Sequence, residues 1–220
     1  MPSSAGPGRR LALFLGPALL AWGLLAATAP AWAQDAPARR LSARELNYLL
    51  MVAREPLAAL QEGRPVREPK QNRAFTALSQ ALPMVVTLRL DGEILARAWE
   101  IRQPLALIQG AMALAGKALE SPDQGRPPTP EEWPGLKVAV AVLHSLSEAA
   151  DDREVGPGQA VVVLEGFRIG VGLPRDLPQG YRNFDLLSKA CEMAGLRPQA
   201  WLLPGRCSIL ASDVDEMVER

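Results

Sequence analysis

The sequence predicts an α+β fold in which a largely antiparallel sheet is flanked by helices. Three observations lead to this prediction. The dipeptide Asp91-Gly92 separates two apolar stretches and suits a type I′ turn between antiparallel strands. Several later stretches alternate apolar and polar residues with the period of two that strands require. Helical and strand-like stretches do not alternate regularly, which argues against a parallel βα array.

The first 33 residues have the features of a secretory signal peptide. Two arginines precede an apolar stretch that ends in the small-x-small site Ala31-Trp32-Ala33. We therefore expect cleavage after Ala33, a periplasmic or secreted location, and a mature domain over residues 34–220. Cleavage would leave no stable membrane insertion. The alternative is a single transmembrane anchor, because residues 11–29 are nearly long enough to span a bilayer.

Composition narrows the range of partners. The chain has 24 Lys+Arg residues and 24 Asp+Glu residues, so its formal net charge is +0. Loss of the two leader arginines would make the mature domain slightly acidic. Nucleic acid is therefore not an expected partner, whereas an unidentified protein or a small anionic ligand is. With one histidine and no known catalytic motif, the sequence predicts no catalytic residue, metal site or cofactor.

An amphipathic helix opens the folded part of the chain. Ser42 and Glu45 have the spacing of a capping box, and Gly63 marks the end of the helix. Pro56 lacks the amide that a helical turn needs, so we expect it to kink or divide this helix. A loop and a short helix over residues 73–81 should lead into the first strand.

The hairpin around Asp91-Gly92 has a register that can be obtained by counting outwards from a two-residue turn. The predicted facing pairs are Leu90–Glu93, Leu88–Leu95, Val86–Arg97 and Met84–Trp99. In this register Arg97 and Trp99 share a face with Val86 and Met84. We expect both faces of the hairpin to be covered, because both are mainly apolar.

Two further helices and four further strands complete the predicted fold. The stretch "QPLALIQGAMALAGKALE" predicts a helix whose Gly110 and Gly116 would allow close approach to the sheet, over Ala96 and Ala98. A second helix should occupy residues 181–194 and end at Gly195. The predicted strands lie in "LKVAVAVLHSL", "AVVVLEG", "FRIGVGL" and "CSILASDV".

Arg97 is the main candidate for a binding residue. In the structural interpretation, its side chain reaches solvent at the sheet end or pairs with Glu93 or Glu100. In the functional interpretation, its guanidinium forms the floor of a pocket, stacks on Trp99, and binds a carboxylate or phosphate. The structural interpretation is favoured. The candidate binding residues are accordingly Arg97, Trp99 and Glu93.

The remaining candidates are two cysteines and one histidine. In an oxidising compartment Cys191 and Cys207 could form a disulfide, closing a loop that would add about 3 kcal/mol in the chain-entropy model. Alternatively, Cys191 is a buried helical thiol and Cys207 is unrelated to it. His144 ends an apolar strand face, which is more typical of a core or rim histidine than of a catalytic one.

Five stretches, in this order, resemble the AMMECR domain family. They are the opening amphipathic helix, "VVTLRLDGEI", "PLALIQGAMALAGKALE", "PPTPEEWPGLKVAVAVL" and "LLSKACEMAGLRPQAW". The resemblance implies an α+β fold with a larger and a smaller lobe, and no established reaction. The family typically has "LRGCIG" after the hairpin turn, and here Arg97 stands where its cysteine would be. No thiolate role can therefore be carried over.

These observations favour a function in binding. We expect an exported, AMMECR-like prokaryotic protein that binds a partner or small ligand without catalysis. Export is itself a departure from the usual member of the family. The alternative is an enzyme, or an accessory subunit of one, that acts on a small anionic substrate with Arg97 in its pocket.

Overall fold

The protein is described by a computed structural model over residues 39–69 and 74–219. The predicted signal peptide lies outside these residues. The helices are α1 (Ala43–Glu62), α2 (Leu107–Glu120) and α3 (Asn183–Met193). The strands are β1 (Met84–Leu90), β2 (Glu93–Glu100), β3 (Gln124–Gly125), β4 (Lys137–Ala149), β5 (Ala160–Glu165), β6 (Arg168–Gly172) and β7 (Ser208–Val218).

The described strands form one sheet in the order β3-β2-β1-β4-β7-β5-β6, and every neighbouring pair is antiparallel. The sheet curls, so that one face of β1 and β2 meets the same face of β5 and β6. Helices α1 and α2 cover the other face at the β1–β4 end, and α3 covers it at the β5–β6 end. The predicted α+β class is confirmed.

Helix α1 begins and ends where its sequence predicts. Ser42 and Glu45 form the capping box, and Gly63 ends the helix in the left-handed conformation, with φ 61°. Pro56 lies inside a single helix, so the expected division does not occur. The short helix expected at residues 73–81 is a 3₁₀ turn, Thr76–Ser79.

The hairpin turn is as predicted, but the register beyond it is not. Asp91 and Gly92 both have positive φ, and Leu90 pairs with Glu93. Leu95 is then an extra residue in β2, so Leu88 pairs with Ala96. Such a bulge moves every later side chain of the strand to the opposite face.

Strand β3 holds this bulge in place. The Arg126 amide donates a hydrogen bond to the Leu95 carbonyl at 3.1 Å. Gly125, with φ 84°, lies so close that a Cβ atom on it would be 2.1 Å from the same oxygen. Only glycine fits this approach. The edge of β2 is also bound further along, where the Trp99 amide donates to an Asp123 carboxylate oxygen at 2.9 Å.

The bulge exchanges the two faces of β2. Ala96 and Ala98 join Val86 and Leu88 in the apolar core beneath α2. Arg97 pairs with Thr87 rather than with Val86, and it lies on the face turned away from α1 and α2. The predicted pairing of Arg97 with Val86 and of Trp99 with Met84 is therefore wrong. The predicted position of α2 over the two alanines is right.

Close helix–sheet approach depends on a glycine that the sequence analysis did not select. A Cβ atom at Gly170 would lie 1.9 Å from the Ala190 carbonyl oxygen of α3. By contrast, a Cβ at Gly116 would meet nothing within 4 Å, and one at Gly110 would make only ordinary contacts. Over the described residues, no helix is long and apolar enough to cross a membrane.

Candidate functional site

Arg97 is one of the most completely buried side chains of the described fold, with 0% of its surface exposed. Its Nη2 donates to Asp176 Oδ1 at 2.8 Å, and its Nη1 lies 2.7 Å from Asp176 Oδ2. Its Nε donates to Thr87 Oγ1 at 2.8 Å, and its Nη1 also contacts Met193 Sδ at 3.5 Å. The hydrogen bond to Oδ1 and the ion contact with Oδ2 together compensate a charge that would otherwise be very costly to bury, although Oδ2 accepts no hydrogen bond from the described residues.

Asp176 comes from a 3₁₀ turn, Pro174–Asp176, that follows β6 at the opposite end of the sheet. Its side chain is also 0% exposed, and its Oδ1 accepts a second hydrogen bond from Arg89 Nη2 at 2.6 Å. One carboxylate thus holds two arginines from neighbouring strands. Arg89 also donates to the Gly92 carbonyl at 3.1 Å.

Glu216 on β7 and Arg175 extend this group towards solvent. The Glu216 carboxylate lies 3.6 Å from Arg175 Nε, and its side chain is largely buried. Burial raises the pKa of the Glu216 carboxyl above its usual range, and neighbouring Asp176 acts in the same direction against three arginines. We call the set Arg89, Arg97, Arg175, Asp176 and Glu216 the junction cluster, because it joins the β1–β2 end of the sheet to the β6 end.

The predicted binding residues do not come together at a surface. Arg97 is paired with Asp176, and the expected partners Glu93 and Glu100 are wrong. Glu93 is exposed beside the hairpin turn, and Trp99 is buried among apolar side chains. A ligand could reach the Arg97 guanidinium only by displacing Asp176. Asp176 lies 79 positions from Arg97 and has no local sequence signal, which explains why sequence reasoning missed it.

Both cysteines are free thiols in the structure. Cys191 is buried in α3, and Cys207 is a half-buried residue of the same apolar cluster. Burial raises the pKa of both thiols, although the Trp201 backbone opposes this at Cys191. A raised pKa lowers the thiolate fraction, so neither has the character of a reactive nucleophile.

His144 is a buried histidine with a carboxylate partner. Its Nε2 lies 2.8 Å from Asp215 Oδ2, and no partner for its Nδ1 is found among the described residues. Asp215 also accepts hydrogen bonds from the Leu41 amide and from Arg40. Burial alone would raise the pKa of Asp215, but these three partners together lower it. The arrangement anchors the residues just before α1 to β7.

A groove lies between α1, α2 and residues 67–69 and 75–79. It consists of two adjoining cavities of about 710 and 320 Å³ that share Glu68, Pro69 and Met112. We call it the helix groove. Its apolar lining includes Met51, Val52, Phe75, Leu78, Ile108 and Met112.

One wall of the helix groove is braced by charge pairs. Glu55 accepts hydrogen bonds from the Arg64 guanidinium and from the Arg67 amide, the latter at 2.9 Å. The Arg64 guanidinium lowers the pKa of Glu55 to about 2, and the Arg67 amide acts in the same direction. The pair therefore remains charged at any physiological pH. No local sequence pattern indicates this groove, because its lining comes from three separate segments.

Comparisons with other proteins bear on the fold. No model of a known protein family matches the chain. The chain is 25% identical to Protein MK0488 of Methanopyrus kandleri over 178 residues, which is 75% of this chain and 84% of that protein. It is also similar to the crystal structure of uncharacterized protein PH0010 from Pyrococcus horikoshii. That match has a TM-score of 0.66 and 20% identity over 82% of this chain and 94% of the other. At this identity, the structural similarity shows a shared fold.

Proposed function

We propose that this chain is an exported, AMMECR-like protein that binds a small amphipathic ligand without catalysis, and that the helix groove is its binding site. The observation that carries the proposal is the size and lining of the groove. Ligand sites commonly have volumes of about 300–1,000 Å³ and a mainly apolar lining with a few polar groups. The larger cavity, of about 710 Å³, lies within that range, and Gln109 and Ser79 supply polar groups beside Phe75 and Ile108.

The groove also has a pre-formed wall, which favours ligand binding. The contacts of Glu55 with Arg64 and with the Arg67 amide hold residues 64–67 against α1. A wall that is already ordered reduces the conformational entropy lost on binding. In contrast, the arginine that first suggested chemistry, Arg97, is fully occupied by Asp176. These contacts support binding in the groove over chemistry at Arg97.

A neutral fluorescent probe, N-phenyl-1-naphthylamine, tests the groove without adding a charge. We expect saturable binding to the protein and at least about tenfold weaker binding to Met112→Arg. Met112 lines both cavities, so the new charge would make an apolar probe less favourable in either of them. Leu60→Arg is the matched control, since Leu60 is an exposed apolar residue of α1 that we do not assign to the groove lining. Equal loss of binding in both variants, or none in either, would contradict the proposal.

Export is the second part of the proposal and rests on the leader sequence. The arginine pair, the apolar stretch and the Ala31-Trp32-Ala33 site support cleavage after Ala33. The protein recovered from a bacterial periplasmic extract should have an intact mass that matches residues 34–220, with Gln34 as its first residue. A full-length mass found in the membrane fraction would instead favour the anchor.

A further inference from the structure

A separate cavity, of about 420 Å³, lies at the end of the sheet where β4 finishes and β7 begins. Residues 148–151, 201–205 and 207–209 line it. None of these lining residues belongs to the helix groove or to the junction cluster. Ligand sites commonly have volumes of about 300–1,000 Å³, and this cavity lies within that range. We call it the strand-end cavity.

Part of the strand-end cavity is an apolar wall that is held in place. Trp201 is only 7% exposed, and its ring packs edge-to-face on Phe184 of α3, with 5.4 Å between the ring centroids. Leu202 and Leu203 follow it and stay about half exposed, so their side chains are available to a ligand. An ordered wall of this kind reduces the conformational entropy that is lost on binding.

The charge of the lining is negative. Glu148 and Asp151 line the cavity, and neither carboxylate has an ion pair among the described residues. Asp151 Oδ1 accepts only the Arg153 amide, at 2.8 Å. Arg206, the basic residue of the loop before β7, is not part of the lining and donates to Glu165 Oε1 at 2.7 Å. A cavity that carries one sign of charge favours ligands of the opposite sign, here cations.

A buried hydrogen-bond donor also lacks a partner at this cavity. The indole Nε1 of Trp201 is shielded from solvent and donates to no acceptor among the described residues. An unsatisfied buried donor is costly, and native proteins contain few of them. Because Trp201 lines the cavity, an acceptor oxygen of a ligand held there can supply the missing partner.

We propose that the strand-end cavity binds the N-terminal residue of an apolar peptide. The free α-ammonium group lies at Glu148 and Asp151, an apolar side chain packs on Leu202 and Leu203, and the first carbonyl oxygen accepts the Trp201 indole N–H. A chain end of this kind carries all three groups within a single residue. A free amino acid fits less well, because Glu148 and Asp151 repel its carboxylate. The site is independent of the helix groove, and its failure would leave the proposed groove binding untouched.

Calorimetric titration with L-leucyl-glycinamide, at about pH 6.5 and constant ionic strength, tests the ligand class. At that pH the α-ammonium group is protonated, because its pKa is about 8. We expect saturable binding to the purified protein. The analogue 4-methylpentanoyl-glycinamide lacks only the ammonium group and should bind at least about tenfold weaker. Glycyl-glycinamide lacks only the apolar side chain and should also bind at least about tenfold weaker.

Variants of the lining test the place of binding. Glu148→Gln combined with Asp151→Asn removes both charges with little change of shape, and it should bind L-leucyl-glycinamide at least about tenfold weaker. Asp152→Asn is the matched control, because Asp152 is the next residue along the chain but does not line the cavity. It should bind like the unmodified protein. Trp201→Phe keeps an aromatic ring without the donor and should bind at least about fivefold weaker.

Urea unfolding of each variant establishes that it is folded. No saturable binding of L-leucyl-glycinamide, or equal binding of the analogue without the ammonium group, would overturn the proposal. Equal weakening in Asp152→Asn and in the variant that lacks both lining charges would also overturn it, because the effect would then follow net charge. Unchanged binding by Trp201→Phe would overturn the role of the indole.

Discussion

The two faces of the β1–β2 hairpin use the same strands but are stabilised differently. One face packs Val86, Leu88, Ala96 and Ala98 into an apolar cluster with α1 and α2. The other face buries Arg97, whose charge is balanced by Asp176 from the far end of the sheet. An apolar face needs only suitable volume and shape. A charged face needs one particular partner, and removal of that partner is costly.

The largest expected effect comes from removing that partner. Asp176→Asn should destabilise the fold by about 3–5 kcal/mol, because it leaves Arg97 buried without a counter-charge. Arg97→Leu should cost about 2–4 kcal/mol, because Arg89 still neutralises Asp176. The free energies of unfolding are measured in urea.

A double-mutant cycle of Arg97→Leu, Asp176→Leu and the two changes combined tests whether these side chains act as a unit. The combined variant should cost about 1–3 kcal/mol less than the sum of the two single costs, because the buried pair is then removed together and only Arg89 loses its partner. Leu49→Ala lies on the apolar side. When it is combined with Asp176→Asn, the two destabilisation free energies should instead be additive to within about 0.5 kcal/mol. Simple additivity in both pairs would mean that Arg97 and Asp176 do not form a unit.

A smaller loss of stability is expected when the close approach of Gly125 to the Leu95 carbonyl is disturbed, because this contact holds the bulge that separates the two faces. Gly125→Ala should cost about 2–4 kcal/mol, since its Cβ would collide with the Leu95 carbonyl in a backbone region that disfavours side chains. Gly158→Ala is the control, because Gly158 also has positive φ but no atom within 4 Å of an added Cβ. The control should cost about 1 kcal/mol. Equal costs would mean that β3 does not hold the bulge.

The smallest expected effect on stability comes from the Glu216 carboxylate of the junction cluster. The pKa of Glu216 is raised, so the fold favours its protonated form, and stability from this group is lost as pH rises through that pKa. Glu216→Gln should therefore be more stable than the unmodified protein at pH 8 and close to it at pH 4. A stability difference that does not change with pH would contradict the assigned burial of this carboxylate.

Local sequence signals specify most of the fold. Capping residues, the Asp91-Gly92 turn, the apolar periods and Gly195 each act on neighbours within a few residues, so their effects can be read locally. The position of α2 over Ala96 and Ala98 was also predicted correctly. Of the candidate site, the sequence identified Arg97 as unusual and favoured a structural role for it. The partner and the strand face predicted for Arg97 are both wrong.

The partner and the face of Arg97 depend on contacts between residues that are distant in sequence. The bulge at Leu95 depends on Gly125 and Arg126, which reach β2 through a separate edge strand. Asp176 reaches Arg97 only because the sheet curls and brings its two ends together. A register shift of one residue costs little locally but changes which face every later side chain occupies. Turn chemistry therefore fixed the start of β2, and contacts distant in sequence fixed where Arg97 points.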